Sequence, residues 1–366
     1  MFVIIGVISL LLYGGLVYYI GWRGYRWLRP QTSSRRFKIL YTVVLIIVAT
    51  SFITGRFVNI KLLGIIGAYW MAVLYLSILL VPLAHLTVIL LRKSRFRRER
   101  TSFWAGAITL GLMVVLLGYG SYNAYMPVVR TYTIQMDKGS SSIDSLRIAM
   151  AADMHFGLLS GKDHAKRLVQ EMNKLEPDII LLPGDLFDDD IQPFVDQKLD
   201  SILSELKAPL GVYATLGNHD KHRGTMQELI DTFERSGINI LYDETTTVND
   251  LFTLVGRKDL SDPERMNLDT IMTGVDLDKP VILLEHQPEE LDLAEQAGID
   301  LMLSGHTHHG QVFPGSLITN ALFENDWGYL HKGNLHSIVT SGYGFWGPPI
   351  RIGTRSEIVE LHIEFE

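Results

Sequence analysis

The stretch Asp178–Asp190 reads D-I-I-L-L-P-G-D-L-F-D-D-D. Its centre, Ile179–Leu182, is a short continuous apolar run, which is typical of a strand buried on both faces of a parallel or mixed sheet. A proline and a glycine then end the strand, so Asp185 stands at its carboxyl end, where open α/β sheets bind their ligands. A desolvated, unpaired carboxylate costs several kcal/mol, and no Lys or Arg lies within ten residues of Asp185. The stretch therefore predicts a metal ion as the counter-charge.

Asp185–Asp190 also fits an acidic surface loop, and for Asp189 and Asp190 that interpretation stays open. For Asp185 the rest of the chain decides the matter, because further metal-binding side chains follow other apolar runs.

Charge divides the 366 residues into two parts. Up to Arg130 there are 15 Lys and Arg and one acidic residue, Glu99. The remainder holds 39 of the 40 acidic residues and 18 of the 33 basic ones, a formal charge of −21. Such an acidic part disfavours nucleic acid as a partner. The chain has no cysteine, so disulfides and thiolate ligands are excluded and any metal is held by nitrogen and oxygen.

The basic part contains four apolar stretches, most of them near the ~20 residues that a helix needs to cross a bilayer. They are Phe2–Trp22, Ile39–Thr54, Leu62–Leu91 and Phe103–Tyr119. Buried helices of a soluble protein are the alternative, which four such stretches in succession disfavour. We expect a multi-pass helical membrane anchor over residues 1–125, a connector over 126–145 and a large acidic domain over 146–366.

Basic residues fill the first and third loops of this anchor, whereas the second loop carries only Arg56 and Lys61. By the positive-inside rule, loops one and three face the cytoplasm. The sequence thus predicts a cell-membrane protein whose large domain is extracytoplasmic.

After residue 145 apolar strands and helical patterns alternate, which indicates an α/β domain. The predicted strands are Leu146–Ala152, Ile179–Leu182, Leu210–Leu216, Ile238–Tyr242, Leu251–Val255, Pro280–Leu284, Leu301–Ser304, Ser337–Thr340 and Glu357–Glu364. The predicted helices are Asp163–Leu175, Ile191–Leu206, Thr225–Ser236 and Pro288–Ala297. Val128–Gln135, in the connector, fits an extended edge.

Polar residues collect just after five of these strands. They are Asp153 and His155, then Asp185 and Asp188, then Asn218, His219 and Asp220, then His286, and finally His306 and His308. Side chains two positions apart in an extended segment point the same way, so each D-x-H or H-x-H pair can meet one centre. Carboxylate, imidazole and amide ligands suit manganese, iron or zinc.

The order D-x-H, G-D-x-x-D, G-N-H-D, isolated H and G-H-x-H resembles the calcineurin-like metallophosphoesterases, over roughly Leu146 to Glu364. Within that family the chain is similar to bacterial membrane-anchored members that carry a G-H-T-H-G-G-Q run. Here Gly305–Gln311 reads G-H-T-H-H-G-Q, so His309 stands where a glycine is usual.

The resemblance implies a site for two divalent metal ions inside an α/β sandwich of two sheets flanked by helices. The first metal would be held by Asp153, His155 and His308, the second by Asn218, His286 and His306, and both by Asp185. A metal-bridging hydroxide would attack a phosphoester. His219 would protonate the leaving group and Asp220 would orient its imidazole, while Asp188 would shape the loop.

We therefore expect a membrane-anchored phosphoesterase, and its place at the lipid bilayer favours a lipid-linked or envelope phosphoester as substrate. The alternative is a membrane sensor or transporter whose outer domain binds metal or phosphate without turnover. Against transport, the four apolar stretches contain almost no ionisable side chain, only His85.

Some residues outside the motifs are interpreted more simply. Surface or loop positions are expected for His164, His222, His331 and His336. His222 and His309 flank the motifs and could touch substrate. Gly342–Pro349 is either a rigid turn or a wall of the substrate groove, and Arg351 and Arg355 could meet a phosphate or form salt bridges.

Overall fold

The computed structural model describes residues 2–29, 34–58, 60–91, 98–137, 139–220 and 226–366. The chain forms two compact units. One comprises Met1–Gly120 with Gly347–Pro349, and the other comprises Ser121–Trp346 with Ile350–Glu366.

Helices dominate the amino-terminal part of the chain. They are α1 (Phe2–Leu28), α2 (Arg35–Val58), α3 (Lys61–Leu90) and α4 (Arg98–Tyr125). Among the described residues these four helices are long and apolar enough to cross a membrane. Most of their large apolar side chains are exposed, Leu11 at 71% for example, as is expected where lipid rather than protein covers them. Parts of the first and third basic loops lie outside the described residues.

Strands form the centre of the second unit. They are β1 (Val128–Met136), β2 (Ser145–Met150), β3 (Ile179–Pro183), β4 (Val212–Thr215), β5 (Ile238–Ile240), β6 (Glu244–Val248), β7 (Phe252–Gly256), β8 (Val281–Leu284), β9 (Leu301–Ser304), β10 (Gly328–Lys332), β11 (Leu335–Val339) and β12 (Glu357–Phe365). The helices around them are α5 (Lys162–Lys174), α6 (Gln192–Asp196), α7 (Leu199–Leu203), α8 (Met226–Glu234), α9 (Leu268–Ile271), α10 (Leu291–Gln296) and α11 (Gly315–Leu322).

The strands form two mixed sheets. The first has the order β1-β12-β2-β3-β4-β5, in which β2 to β5 are parallel. The second has the order β10-β11-β9-β8-β7-β6, in which β11, β9, β8 and β7 are parallel. Because the parallel strands of each sheet share a direction, their carboxyl ends meet at one edge. The predicted fold class, four apolar helices followed by an α/β sandwich of two sheets, is confirmed.

Strand β3 contacts both hydrophobic layers of the domain, one on each of its faces. Its side chains alternate, so Ile179 and Leu181 pack in the core between the sheets with Ile282 of β8. Ile180 and Leu182 pack instead on the outer layer, which includes side chains of α5 to α8. Both faces of β3 are buried, which is why its sequence is a continuous apolar run.

Several elements differ from the predictions. The single helix predicted over Ile191–Leu206 is divided into α6 and α7, because Lys198 takes a left-handed conformation (φ 53°) between them. By contrast, the extended edge expected over Val128–Gln135 is confirmed, since β1 pairs with β12 along its whole length at the edge of the first sheet. The predictions missed β6, β10, α9 and α11. The sequence of β6, E-T-T-T-V, lacks a buried apolar face because it is an edge strand.

Candidate metal centre

The structure brings the predicted ligand residues together at one edge of the sandwich. Each follows the carboxyl end of a parallel strand. Asp153 and His155 follow β2, Asp185 follows β3, Asn218 follows β4, His286 follows β8, and His306 and His308 follow β9. The first sheet supplies the first four residues and the second sheet the last three.

Asp153, His155 and His308 form one group of buried side chains, with ligand atoms that lie within 4.8 Å of one another. His155 Nε2 is 3.2 Å from His308 Nε2, which in turn is 3.4 Å from Asp153 Oδ1. These are the three residues predicted for the first metal.

Asp185, His286 and His306 form a second group on the same scale. His286 Nε2 is 3.1 Å from Asp185 Oδ2, and Asn218 Oδ1 is 3.0 Å from His306 Nδ1. Asp185 Oδ2 is also 3.6 Å from His155 Nε2 of the first group. Asp185 thus lies between the two groups, which is the position that a residue shared by two ions requires.

The backbone around the site is held in unusual conformations. Positive φ angles between 43° and 70° occur at Asp153, His155, Asp185, His306 and His308. Such conformations cost energy in residues other than glycine and concentrate at functional sites. Close approach adds to this, because a Cβ at Gly217 would overlap Asp185 Oδ1 and one at Gly305 would overlap Asp153 Oδ2. Glycine at these two positions therefore lets the loop after β4 pack against Asp185 and the loop after β9 pack against Asp153.

Buried charge dominates the electrostatics of the site. Burial raises the pKa of the Asp153 carboxyl to about 7. Burial alone would raise the pKa of Asp185 as well, but the adjacent His286 lowers it below its ordinary value. Burial likewise works against a charge on His286, yet Asp185 raises the pKa of that imidazole to about 10. Burial lowers the pKa of His155 and of His306, each to about 4. In the chain alone, a proton on His286 compensates Asp185, and a divalent cation would replace that proton.

The residues fit a metal ion in their chemistry and their hydrogen bonding. His286 Nδ1 lies 3.0 Å from the carbonyl oxygen of Pro183, which can only accept, so Nδ1 donates, and Nε2, turned toward Asp185, is the nitrogen that a metal would bind in place of the proton. This arrangement is typical of a metal-binding histidine. Among the described residues, buried His286 Nε2 has no hydrogen-bond partner of good geometry. Carboxylate, imidazole and amide donors without sulfur suit manganese, iron or zinc.

The imidazole of His219 lies beside the first group, with its ring centroid 5.1 Å from that of His155. Its Nδ1 is 2.8 Å from Asp189 Oδ1. Burial lowers its affinity for a proton, but Asp189 and Asp185 outweigh this effect and raise the pKa of His219 above its ordinary value. The raised pKa favours the protonated ring, which is the form that a general acid requires.

The prediction that Asp220 orients His219 is wrong. The Asp220 carboxylate turns inward and accepts the backbone N–H groups of Phe187 at 3.0 Å and Gly217 at 2.8 Å. It fixes the loops after β3 and β4, and Asp189 takes the place next to the imidazole. The signal that could have found Asp189 is the run of three aspartates that follows a site strand.

The segment after β11 supports the site from outside. Gly344 N–H donates to the carbonyl oxygen of Asp153 at 2.8 Å, so the segment holds the first ligand loop. The ring of Trp346 lies 5.8 Å from that of His219. Buried Arg351 donates to the carbonyl oxygen of Gly344 at 2.8 Å and approaches His308 Nδ1 at 3.2 Å. Neither of the two roles foreseen for Arg351, phosphate contact or a salt bridge, describes these bonds, which position backbone and ring.

Other predicted histidines have structural roles. His164 was expected at the surface but is buried, and its ring packs 4.4 Å from that of Tyr343. His309 takes a left-handed conformation that suits the glycine usual there, and its Nδ1 is 3.0 Å from Asp326 Oδ2. His222 lies outside the described residues. The Asp188 side chain is 43% exposed, with Oδ1 3.8 Å from His155 Nδ1.

Comparison with known proteins agrees with this geometry. The sequence model of the calcineurin-like phosphoesterases matches residues 146–310. An uncharacterised metallophosphoesterase of Helicobacter pylori is 34% identical over 266 residues, which are 70% of this chain and 70% of the relative. One from Aquifex aeolicus is 33% identical over 262 residues, 69% of this chain and 98% of the relative. A transmembrane protein with metallophosphoesterase domain from Danio rerio is 31% identical, covering 74% of this chain and 66% of that protein.

Proposed function

The chain belongs to the calcineurin-like metallophosphoesterase family, and on that premise we propose that it hydrolyses phosphoesters at a dinuclear metal centre. The observation that carries the proposal is the position of Asp185 between two groups of ligands. We assign Asp153, His155 and His308 to one ion, Asn218, His286 and His306 to the other, and Asp185 to both.

Two divalent ions, when bound, supply Lewis acidity that polarises a phosphoryl group and lowers the pKa of water to near neutrality. The side chains themselves set up this chemistry. Asp153 and Asp185 bring two negative charges to a site whose other ligands are neutral, so a pair of divalent ions keeps a net positive charge for an anionic substrate. Gly217 and Gly305 hold the two carboxylates in place.

His219 is the proposed general acid. Asp189 holds its Nδ1 proton through the 2.8 Å contact, which leaves Nε2 as the atom that gives a proton to the departing oxygen. The role requires the protonated ring, and the carboxylates around His219 favour that form. Trp346 stands beside the imidazole and would exclude water from one side of it.

We further propose that the substrate is a lipid-linked or envelope phosphoester and that the catalytic domain is extracytoplasmic. The basic residues of the first and third loops support this orientation by the positive-inside rule. We assign residues 1–125 to the membrane anchor and 146–366 to the catalytic domain. The intervening segment contributes β1 to the first sheet.

The test is phosphoester turnover by the full chain in detergent. Chromogenic mono- and diesters would be offered with manganese, zinc, iron or no added metal. We expect metal-dependent hydrolysis, and the ratio of diester to monoester rates would narrow the substrate class. Binding of metal without hydrolysis of any ester, soluble or lipid-linked, would contradict the proposal and favour a sensor.

A further inference from the structure

Helix α11 presents its apolar side to solvent. Leu317, Ile318 and Leu322 are 64%, 61% and 72% exposed, and none of the eight residues in Gly315–Leu322 is buried. The polar side of the helix is hydrogen-bonded to the protein, since Thr319 Oγ1 donates to Asp326 Oδ2 at 2.8 Å. A helix on a soluble surface has the opposite arrangement, with polar side chains outward. An exposed apolar side of a helix indicates that this side contacts an apolar partner.

The helix is fixed to the ligand loop. A Cβ at Gly315 would overlap the carbonyl oxygen of Gly310, so the start of α11 is pressed directly on the end of the segment that carries His306 and His308. At its other end, the ring of Phe323 lies 6.1 Å from that of His306. The exposed apolar side therefore belongs to the rim of the candidate metal centre.

Hydrogen bonds link the loop before α11 to Ala124, which lies near the end of a candidate membrane span. Span Arg100–Tyr125 has 26 residues, about 39 Å of helix, which exceeds the ~30 Å of hydrocarbon and is long enough for its end to reach the lipid headgroups. Ser356 Oγ donates to the carbonyl oxygen of Ala124 in that turn at 2.8 Å. Four residues earlier, the carbonyl oxygen of Ile352 accepts Phe313 N–H at 2.7 Å, just before α11.

Four residues of extended chain reach at most about 14 Å. The start of α11 is thus tied, through one short segment, to Ala124 near the end of the span. The lipid bilayer is therefore the apolar partner that α11 can reach. The exposed side of α11 carries no charged residue, so no charge opposes its insertion into lipid.

We propose that Leu317, Ile318 and Leu322 of α11 enter the outer interface of the bilayer and so hold the metal centre at the lipid headgroups. This interface helix would make a phosphoester that stays anchored in the membrane the preferred substrate. That second statement rests on the proposed phosphoesterase function, whereas the insertion of α11 does not.

The chain contains no cysteine, so single cysteines can report on the helix without background. Leu317→Cys and Leu322→Cys would each carry an environment-sensitive fluorophore, in the full chain reconstituted into phosphatidylcholine–phosphatidylglycerol vesicles. The matched control is Leu277→Cys, because Leu277 is similarly exposed (59%) but precedes β8, at the opposite end of the parallel strands.

We expect blue-shifted emission at positions 317 and 322, with quenching by spin-labelled lipids several-fold stronger than at position 277. Equal, weak lipid quenching at all three positions would overturn the proposal. A blue shift without lipid quenching would also overturn it, since the helix would then be covered by protein, such as a second copy of the chain.

Activity separates this proposal from the phosphoesterase proposal. Ile318→Glu should lower hydrolysis of a phospholipid ester in vesicles by about tenfold or more, because insertion of one large apolar side chain is lost. Hydrolysis of soluble bis-nitrophenyl phosphate should not change. Equal rates on vesicles for both proteins would overturn the substrate preference. If neither protein hydrolyses any ester, the proposed function fails, and lipid quenching still decides the insertion.

Discussion

The two sheets bring chemically different halves to the site. The loops of the first sheet carry both carboxylates, Asp153 and Asp185, with an amide and one imidazole assigned to a metal, that of His155. The loops of the second sheet carry only imidazoles, His286, His306 and His308. The first half therefore holds the negative charge and the second half holds neutral or protonated nitrogen. Neither half could bind two ions alone, so the site exists only when the sandwich core packs.

The largest effect is expected when Asp185, which lies between the two groups of ligands, loses its charge. Asp185→Asn keeps the shape of the side chain but deletes its charge, between ligands from both sheets. We expect two bound metals to fall to one or none and turnover to fall by about 10³-fold, since metal ions supply several kcal/mol of stabilisation to the transition state. Elemental analysis and ester hydrolysis would measure both.

Asp190→Asn is the matched control for Asp185→Asn. Asp190 lies five residues further along the same loop, and its side chain is exposed. Metal content and rate should stay near those of the unaltered chain. Retention of two metals in Asp185→Asn would contradict the shared role.

A substitution at His219 separates proton transfer from metal binding, because His219 belongs to the first-sheet half of the site but is not assigned to a metal. His219→Ala should keep both metals yet lose about 10²-fold or more in rate with alkyl leaving groups, which need a proton. With nitrophenyl esters the loss should be small, because that leaving group departs without one. An equal loss for both substrates would rule out the acid role.

Asp189→Asn tests the group next to His219. Burial lowers the pKa of His219 and Asp189 raises it, so removal of the Asp189 charge should lower that pKa. A general acid must be protonated, so the alkaline limb of the pH–rate profile should move to lower pH. Asp190→Asn, one residue on, serves as control. An unmoved limb would show that Asp189 does not tune His219.

Sequence reasoning found the ligands because each stands directly after an apolar strand, and the parallel strands bring these ends together. It misassigned the partner of His219 because the choice of Asp220 used adjacency in the chain. The turn after β4 sends that carboxylate inward to the N–H groups of Gly217 and Phe187 instead. Helix α11 was missed because its eight residues are too few to show a clear helical period and none of them is buried.

A smaller effect is expected from the contact between the loops after β3 and β4. In Gly217→Ala the new Cβ would overlap Asp185 Oδ1. We expect the free energy of unfolding to fall by about 3 kcal/mol, the upper end for added methyl groups in packed regions, because backbone cannot relax easily. The control is Gly118→Ala, since a Cβ there meets open space. Equal thermal stability of the two variants would contradict this account.

The smallest effect is the contribution of His164 to the pH dependence of stability. Unlike the histidines assigned to metals, His164 is a buried residue with a packing role. Burial lowers the pKa of His164 from 6.5 to about 3. Below pH 6.5 the unfolded chain takes up a proton that the folded chain does not, so the free energy of unfolding falls as pH falls and stops falling near pH 3. At pH 5.5 this one group should cost about 1.4 kcal/mol. His164→Gln does not titrate, so its thermal stability should decline less between pH 7.5 and 5.5 than that of the unaltered chain. Parallel declines would mean that His164 takes up its proton equally in both states.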